Sequence, residues 1–431
     1  MMEQATTALD FWDEVRDRLK VTPAPASVAA QGAALAESLG VAPIALPVPH
    51  RRLERWKHTP VGALLRGAWS VQPAAAPSVP VQPVPSLEAY RLVFINGHFA
   101  PEHSDLPVAE GVQCMPLSAA PEQPWQAAAH EDDWFAALHA AKHQDGLFLE
   151  VAKGVAVDRP IFVHHIVEGE GVAAFPRHVV RVAEGAQVRL VSWHSAAAAS
   201  TGLVVDRWDV AVGDRARGDL DQIEALSGPV HLVHFPCIEQ GRDSHFRIHS
   251  VSPQVHWTRH DLRIRLTGDH AETILHGCSL PQGEEFVDHH TTVDHRVPNC
   301  RSEEDYRSVL YDRATGVFNG KVFVRPDAQH TDAYQKSANI LASEGATIHA
   351  KPELEIYADD VKCSHGCTVG QLDEEALFYA QSRGISSEDA HALLVQAFIG
   401  EVVAGIGVEE VRAEVEHLFA ARRGWLAGLE G

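Results

Sequence analysis

The residues best suited to metal chemistry lie in segment 362–367, which reads Lys-Cys-Ser-His-Gly-Cys. Thiolate and imidazole are ligands that hold iron, zinc and iron–sulfur clusters in proteins. On a β-strand, Cys363, His365 and Cys367 would share one face at spacings of about 6.5–7 Å. At that spacing they cannot all bind one ion unless the backbone bends, so a complete site needs a ligand from elsewhere or from another chain. The alternative is two buried thiols beside a hydrogen-bonded histidine.

Histidine is abundant, with 27 residues in the chain. Several lie in or beside predicted strands, which invites a buried metal site, but no compact His-x-His set with a following acid stands out. Isolated strand histidines are more often hydrogen-bonded structural residues, and we favour that interpretation. The histidines concerned are His164, His165, His245, His249, His256, His260, His289 and His290.

Motifs for other chemistries are missing from the sequence. It contains no phosphate-binding loop, no strand-linked Gly-x-Gly-x-x-Gly and no Gly-x-Ser-x-Gly nucleophile elbow, so we expect neither ATP hydrolysis nor a complete active site. The formal charge is -22, from 36 basic and 58 acidic residues. This excess repels phosphate backbones and anionic lipid, which argues against nucleic acid or membrane as partners.

The predicted compartment is the cytoplasm. The first residues carry acids where a secretory signal would need a basic start, and no run of about 18 apolar residues is present. The six cysteines are scattered from Cys114 to Cys367, which predicts reduced thiols and not a disulfide framework.

The elements between about residues 87 and 370 are predicted to be strands. Short apolar runs with period-2 alternation recur there, and each follows a turn such as Glu184-Gly185-Ala186, in which the glycine is free to take positive φ. So many strands cannot form one open sheet. A sandwich or a barrel remains an alternative fold. The scarcity of tight hairpin turns and the recurring corners with glycine and a small residue favour a β-solenoid.

Helices are predicted on both sides of the strands. Residues 1–86 are a helical region, with one helix at 10–19 and a Pro-rich linker at 71–86 that offers no core. Residues 371–431 are a second helical region, in which Asp373 and Ser386 are N-caps and Gly384 is a helix stop. These C-terminal helices either cap the end of the solenoid or dock a partner protein.

Longer motifs add a family resemblance. Segments 318–335, 351–366 and 368–373, together with Glu54-Arg55-Trp56-Lys57-His58-Thr59-Pro60, resemble the SufB/SufD family of the SUF iron–sulfur cluster assembly system. The Cys-Ser-His-Gly sequence followed by Val-Gly-Gln-Leu resembles the SufD branch. The resemblance covers about residues 50 to 425.

The resemblance implies a right-handed parallel β-helix with helical domains at both ends. It also implies a non-catalytic scaffold that pairs edge to edge with SufB and binds the SufC ATPase through its C-terminal helices. Without SufB, we expect the exposed edge to form a homodimer. A transient iron–sulfur cluster or iron would be held at the shared interface by His365 with Cys363 nearby, and none permanently by the isolated chain. The family usually has a small residue at Cys367, so its role as a ligand does not carry over.

Two alternatives remain at this point. One is a SufB-like scaffold that assembles with its own copies; a cysteine at position 365 would have favoured it, and the chain has His365. The other is an unrelated β-helix carbohydrate-active enzyme, which would fit the solenoid but would need a catalytic carboxylate set that is not obvious here.

Overall fold

The computed structural model describes residues 23–120, 130 and 132–423. The helix predicted at 10–19 lies outside these residues. The helices are α1 (Ala26–Ser38), α2 (Gly62–Arg66), α3 (Trp134–Lys142), α4 (Glu374–Ser382), α5 (Ser387–Val403) and α6 (Glu409–Arg422). Short 3-10 helices cover Glu54–Trp56, Pro101–His103 and Leu117–Ala119.

Most of the chain between these helices is β-strand. The first strands are β1 (Ser70–Val71), β2 (Tyr90–Ile95), β3 (His98–Phe99), β4 (Val112–Pro116), β5 (Leu147–Val151), β6 (Ile161–Val167), β7 (Val172–Ala174), β8 (Arg177–Val182), β9 (Gln187–Ala196), β10 (Gly202–Val212) and β11 (Arg217–Leu226). They continue with β12 (Val230–Gln240), β13 (His245–Gln254), β14 (Trp257–Leu266), β15 (Glu272–Ser279), β16 (Phe286–His295), β17 (Arg301–Leu310), β18 (Thr315–Val324), β19 (Asp332–Leu341), β20 (Thr347–Ile356) and β21 (Lys362–Gly370).

The strands coil into a parallel β-solenoid, which confirms the predicted fold. From β8 onward, even-numbered strands pair with one another in one sheet, here called sheet 1, and odd-numbered strands in a second, sheet 2. The ladders are parallel and mostly in register, and the chain returns to the same place in a sheet after about 30 residues. Because each coil contributes one strand to each sheet, residues that are far apart in sequence stack along the axis.

The glycines at the corners between the sheets were predicted to take positive φ, and only some of them do. Gly185 does have positive φ (68°), but in the next corner the left-handed residue is Arg215 (57°) and not Gly213. Likewise His270 (60°), and not Gly268, has positive φ. A Cβ on Gly268 would lie 1.9 Å from the backbone nitrogen of Arg242 in the preceding coil. Glycine is therefore needed there because stacked corners approach closely, and an ordinary residue supplies the left-handed turn.

The N-terminal region covers the outer face of sheet 1. Trp56, Leu64 and Trp69 form a core cluster with outward residues of that sheet such as Phe235 and Trp257. The linker at 71–86 differs from the prediction, because Val84 is 2% exposed and packs in the core cluster of sheet 2. Its proline-rich backbone is irregular, but its apolar side chains still find buried positions.

The C-terminal helices α5 and α6 cover the outer face of sheet 2 and not the end of the solenoid, which differs from the capping alternative that the sequence left open. Val395 and Ile399 of α5, with Val411 and Val415 of α6, pack in one cluster with sheet 2 residues such as Trp193. The predicted helix signals are confirmed: Asp373 accepts from the Glu375 and Ala376 amides, Ser386 accepts from the Asp389 amide, and Gly384 has φ of 89°. In the described ranges, no helix is long and apolar enough to cross a bilayer.

Candidate functional site

The C-terminal end of the solenoid is open. β20 and β21 are the last strands of their sheets, and within the described residues each is paired on one side only. Most of their residues are exposed or half-buried, in contrast to the buried strands before them. In the other coils, the side chains that point into the solenoid are covered by the next coil. In the last coil these side chains are exposed at the open end.

The sequence-predicted residues lie on this last inner surface. In the ladder, Cys363 is the partner of Ala333, His365 of Gln335 and Cys367 of Ser337. Those three partners are buried in the interior. In-register partners in a parallel ladder point to the same side of the sheet. Cys363, His365 and Cys367 therefore all lie on the side of β21 that faces the solenoid interior. Cys363 is half-buried against an apolar cluster, whereas His365 and Cys367 are exposed.

Below His365 lies a short buried polar chain. The Gln335 amide donates to Glu304 Oε2 at 3.4 Å, and the Thr291 hydroxyl donates to the same oxygen at 2.8 Å. Burial raises the pKa of Glu304 to about 7, although the contacts with Thr291 and Gln335 oppose the shift. This carboxyl group therefore titrates near neutral pH two coils below the surface histidine.

The two thiols of this surface are poor ligands while the chain is alone. Burial raises the pKa of Cys363, and a backbone hydrogen bond from Ala333 only partly offsets it. Burial also raises the pKa of Cys367, against a hydrogen bond with Ser337. Because the thiolate is the form that binds metal, binding at either cysteine must release the thiol proton.

Apolar side chains surround the exposed last coil. They form an exposed apolar patch of the kind that often marks an interaction surface, and they lie in or next to β19, β20 and β21. Beyond them, α4 has no buried residue, and its Phe378 and Tyr379 are 74% and 61% exposed. We call the apolar residues around the last coil the apolar rim; they are Tyr334, Ile356, Tyr357 and Val369.

A second group of polar residues, which the sequence analysis did not single out as a site, fills part of the solenoid interior. The imidazole rings of successive coils stack with centroids 4.6 Å apart for His165–His194, 4.6 Å for His234–His260 and 4.8 Å for His260–His289. His194 and His234 join the two stacks through an edge-to-face contact with centroids 4.9 Å apart. We call these five residues the luminal histidine column. Asp206 and Glu224 lie beside it, fully buried.

The column was missed because its members are far apart in sequence. His234, His260 and His289 are successive ladder partners in sheet 1, and His165 and His194 are partners in sheet 2. Each of them, considered alone in the sequence, is interpreted as a hydrogen-bonded structural histidine. Aligning the chain on its coil length of about 30 residues would have shown the column, but the variable corners hide that repeat.

Charged groups in the column shift one another's pKa values. Burial opposes protonation of His234, yet its contacts with Asp206 and Glu224 raise its pKa to about 9. Burial would raise the pKa of Glu224, but His260 and His234 hold it well below its usual value. Burial lowers the pKa of His260, although its contact with Glu224 opposes the shift.

Comparison with known protein families agrees with this architecture. Residues 165–398 match the family model described as "SUF system FeS cluster assembly, SufBD core domain". Residues 44–163 match the SufBD protein N-terminal region. The chain belongs to the SufBD family. This membership decides against the carbohydrate-active enzyme that a β-solenoid by itself left open.

Relatives with curated names extend over most of the chain. The iron-sulfur cluster assembly protein SufD of Escherichia coli is 28% identical over 85% of this chain and 88% of its own length. An iron-sulfur cluster assembly SufBD family protein of Synechocystis is 29% identical over 88% of each chain. The SufD protein of Bacillus subtilis is 30% identical over 65% of this chain and 64% of its own.

Proposed function

We propose that this chain is the SufD-type scaffold subunit of a SufB–SufC–SufD complex, and that it has no catalytic site of its own. The observation that carries the proposal is the uncovered inner face of β21, where His365 is exposed beside Cys363. A partner solenoid that docks on this end would cover the apolar rim and supply the missing ligands. A transient iron–sulfur cluster, or iron, would then lie between the two chains, and ATP hydrolysis would belong to SufC.

His365 is the ligand or proton-transfer residue of that shared site. The neutral form of an imidazole is the one that binds iron, through the lone pair of a ring nitrogen. Cys363 contributes less, because half of its side chain packs against Val322, Val324 and neighbouring residues. Cys367 is exposed on the same face but remains unassigned.

The His365→Ala variant, co-expressed with SufB and SufC, is expected to assemble clusters several-fold more slowly than wild type. Cluster formation is followed by visible absorbance and by iron and sulfide content after anaerobic reconstitution. The matched control is His417→Ala, because His417 is exposed on α6, which packs against the middle of the solenoid. Assembly at the wild-type rate with His365→Ala would remove His365 from the proposed site.

The same open edge predicts a homodimer when SufB is absent. An unpaired edge strand presents free N–H and C=O groups, and two copies of β21 can pair around a two-fold axis. Light scattering is expected to give twice the 47.0 kDa chain mass. Gly366→Lys is expected to shift the protein toward monomer, because no heavy atom lies within 4 Å of a Cβ at this position and the new charge would sit on the edge.

The control for this test is Gly400→Lys, where a Cβ on α5 also meets no atom within 4 Å. It adds the same charge away from the edge strand and should leave the dimer intact. A wild-type chain that stays monomeric at tens of micromolar, or a Gly366→Lys chain that dimerises as well as wild type, would contradict pairing through β21.

A further inference from the structure

Three buried side chains inside the solenoid converge on one point. They are Glu224 of β11, His234 of β12 and His260 of β14, and their donor atoms all lie within 4.8 Å of one another. Each side chain is at most 2% exposed. Two strands of sheet 1 and one of sheet 2 supply them, so the coil geometry fixes their separation.

The nitrogens of the two imidazoles that face Glu224 have unmet bonding capacity. Nε2 of His234 lies 3.0 Å and Nε2 of His260 lies 2.7 Å from Glu224 Oε1, but across the described part of the chain neither nitrogen makes a hydrogen bond of acceptable geometry. Each nitrogen is thus close to a carboxylate oxygen without being aligned to hydrogen-bond with it, and poorly paired polar groups in the interior are costly. Neighbouring ligands of a six-coordinate ion with bonds of about 2.0–2.2 Å lie about 2.8–3.1 Å apart, which is close to both separations.

The surrounding contacts orient these three groups. His234 Nδ1 is 3.1 Å from Asp206 Oδ2, which leaves Nε2 free to offer its lone pair. Glu224 Oε2 accepts from the Ser252 hydroxyl at 2.8 Å, and Oε1 accepts from Thr258 at 3.1 Å. A carboxylate on the far nitrogen of a histidine, and hydroxyls on the carboxylate ligand, are the supports that metal sites in proteins commonly have.

Charge balance favours a cation at this point. Asp206 and Glu224 are both buried and lie on opposite sides of His234. A single imidazolium at His234 neutralises only one of the two carboxylates, and the other basic groups beside Asp206 are the imidazoles of His178 and His194. A divalent cation bound to neutral imidazoles neutralises both, and an uncompensated buried charge is strongly unfavourable.

We propose that the solenoid interior binds one divalent first-row transition-metal ion through Glu224 Oε1, His234 Nε2 and His260 Nε2. Two histidines and one carboxylate with open positions are a ligand set that suits iron(II). This site differs from the expectation that the isolated chain binds no metal permanently, and it does not depend on the proposed interface function.

A neighbouring triad, His194, Asp206 and His234, has donor atoms equally close together. There, Asp206 Oδ2 already accepts from the Trp208 indole at 3.0 Å and is hydrogen-bonded to His234 at 3.1 Å. Its separation from His194 Nε2 is 3.6 Å. Asp206 therefore supports His234, and the ion belongs on the Glu224 side.

The test uses the full chain without partners, refolded anaerobically with iron(II) or cobalt(II), because the enclosed site is best filled during folding. We expect one ion per chain, a visible ligand-field spectrum with cobalt(II), and an X-ray absorption spectrum with nitrogen and oxygen neighbours only. Glu224→Gln and His260→Gln should abolish stoichiometric binding. Asp206→Asn should weaken binding about 10–100-fold, because it disturbs the support of His234.

The matched control is His289→Gln, the next member of the column in sheet 1, which should still bind one ion. His365→Ala should also bind normally, which separates this site from the open end. A folded wild-type chain with less than stoichiometric metal, or sulfur neighbours in the absorption spectrum, would overturn the proposal. So would equal loss of metal in His289→Gln and His260→Gln. If the ligand variants do not fold, the stoichiometry and neighbours of the wild-type ion decide.

Discussion

Replacing Phe378 and Tyr379 together by serine is expected to weaken binding of the SufC ATPase by at least about 30-fold, the effect of losing about 2 kcal/mol at one interface hot spot. Both rings lie on α4 and are mostly exposed, and Leu393 of α5 is 50% exposed nearby. α4 has no buried residue, so it does not contribute to the core. We propose that this apolar patch is the ATPase docking site.

The rest of the C-terminal region also has a structural role, so truncating it does not test docking. α5 and α6 cover the apolar outer face of sheet 2, so deleting residues after 384 would expose side chains such as Trp193 and Ile223 and would destabilise the whole solenoid. Glu401 of α5 forms an ion pair with Arg307 of β17, which also ties this helix to sheet 2. Point substitutions on α4 therefore separate docking from folding, whereas truncation does not.

Binding of the double variant to SufC is measured by calorimetry or pull-down, with circular dichroism to verify that the fold is retained. The control is Val108→Ser, because Val108 is 98% exposed, and its loss removes apolar surface without touching α4. Unchanged affinity in the Phe378/Tyr379 variant would place the docking site elsewhere.

The second large effect is expected from Arg259→Met, which should lower the free energy of unfolding by about 3–5 kcal/mol. Arg259 of β14 is fully buried, pairs with Asp288, and contacts the Thr59 hydroxyl at 3.1 Å. Its guanidinium also lies 4.0 Å from the Trp56 ring centroid. The substitution leaves Asp288 buried without its guanidinium partner, and it removes the contacts that Arg259 makes with Thr59 and Trp56 of the N-terminal region.

Urea unfolding of wild type and variant measures this difference. Arg313→Met is the control, since Arg313 pairs with Glu284 at the surface, with side chains 74% and 76% exposed. The control should cost less than about 1 kcal/mol. Equal losses for the two substitutions would show that the buried pair does not stabilise the N-terminal contact.

The amino-acid sequence alone was enough to predict the class of fold and the shared face of the three candidate ligands on the last strand. Period-2 apolar runs without helical patterns specify strands locally, and the helix caps at Asp373 and Ser386 depend only on neighbouring residues. Cys363, His365 and Cys367 lie on one strand, so their shared face also follows from local alternation. These features need no knowledge of which strands are neighbours.

Contacts between residues that are far apart in sequence became known only from the folded chain. The luminal histidine column joins residues from five coils, and its contacts depend on how corners of different length bring each strand back into register. The same is true of α5 and α6, whose apolar faces would fit a solenoid end or a flat sheet equally well. Which surface they cover depends on the apolar outer face of sheet 2, a surface that exists only once the coils have stacked.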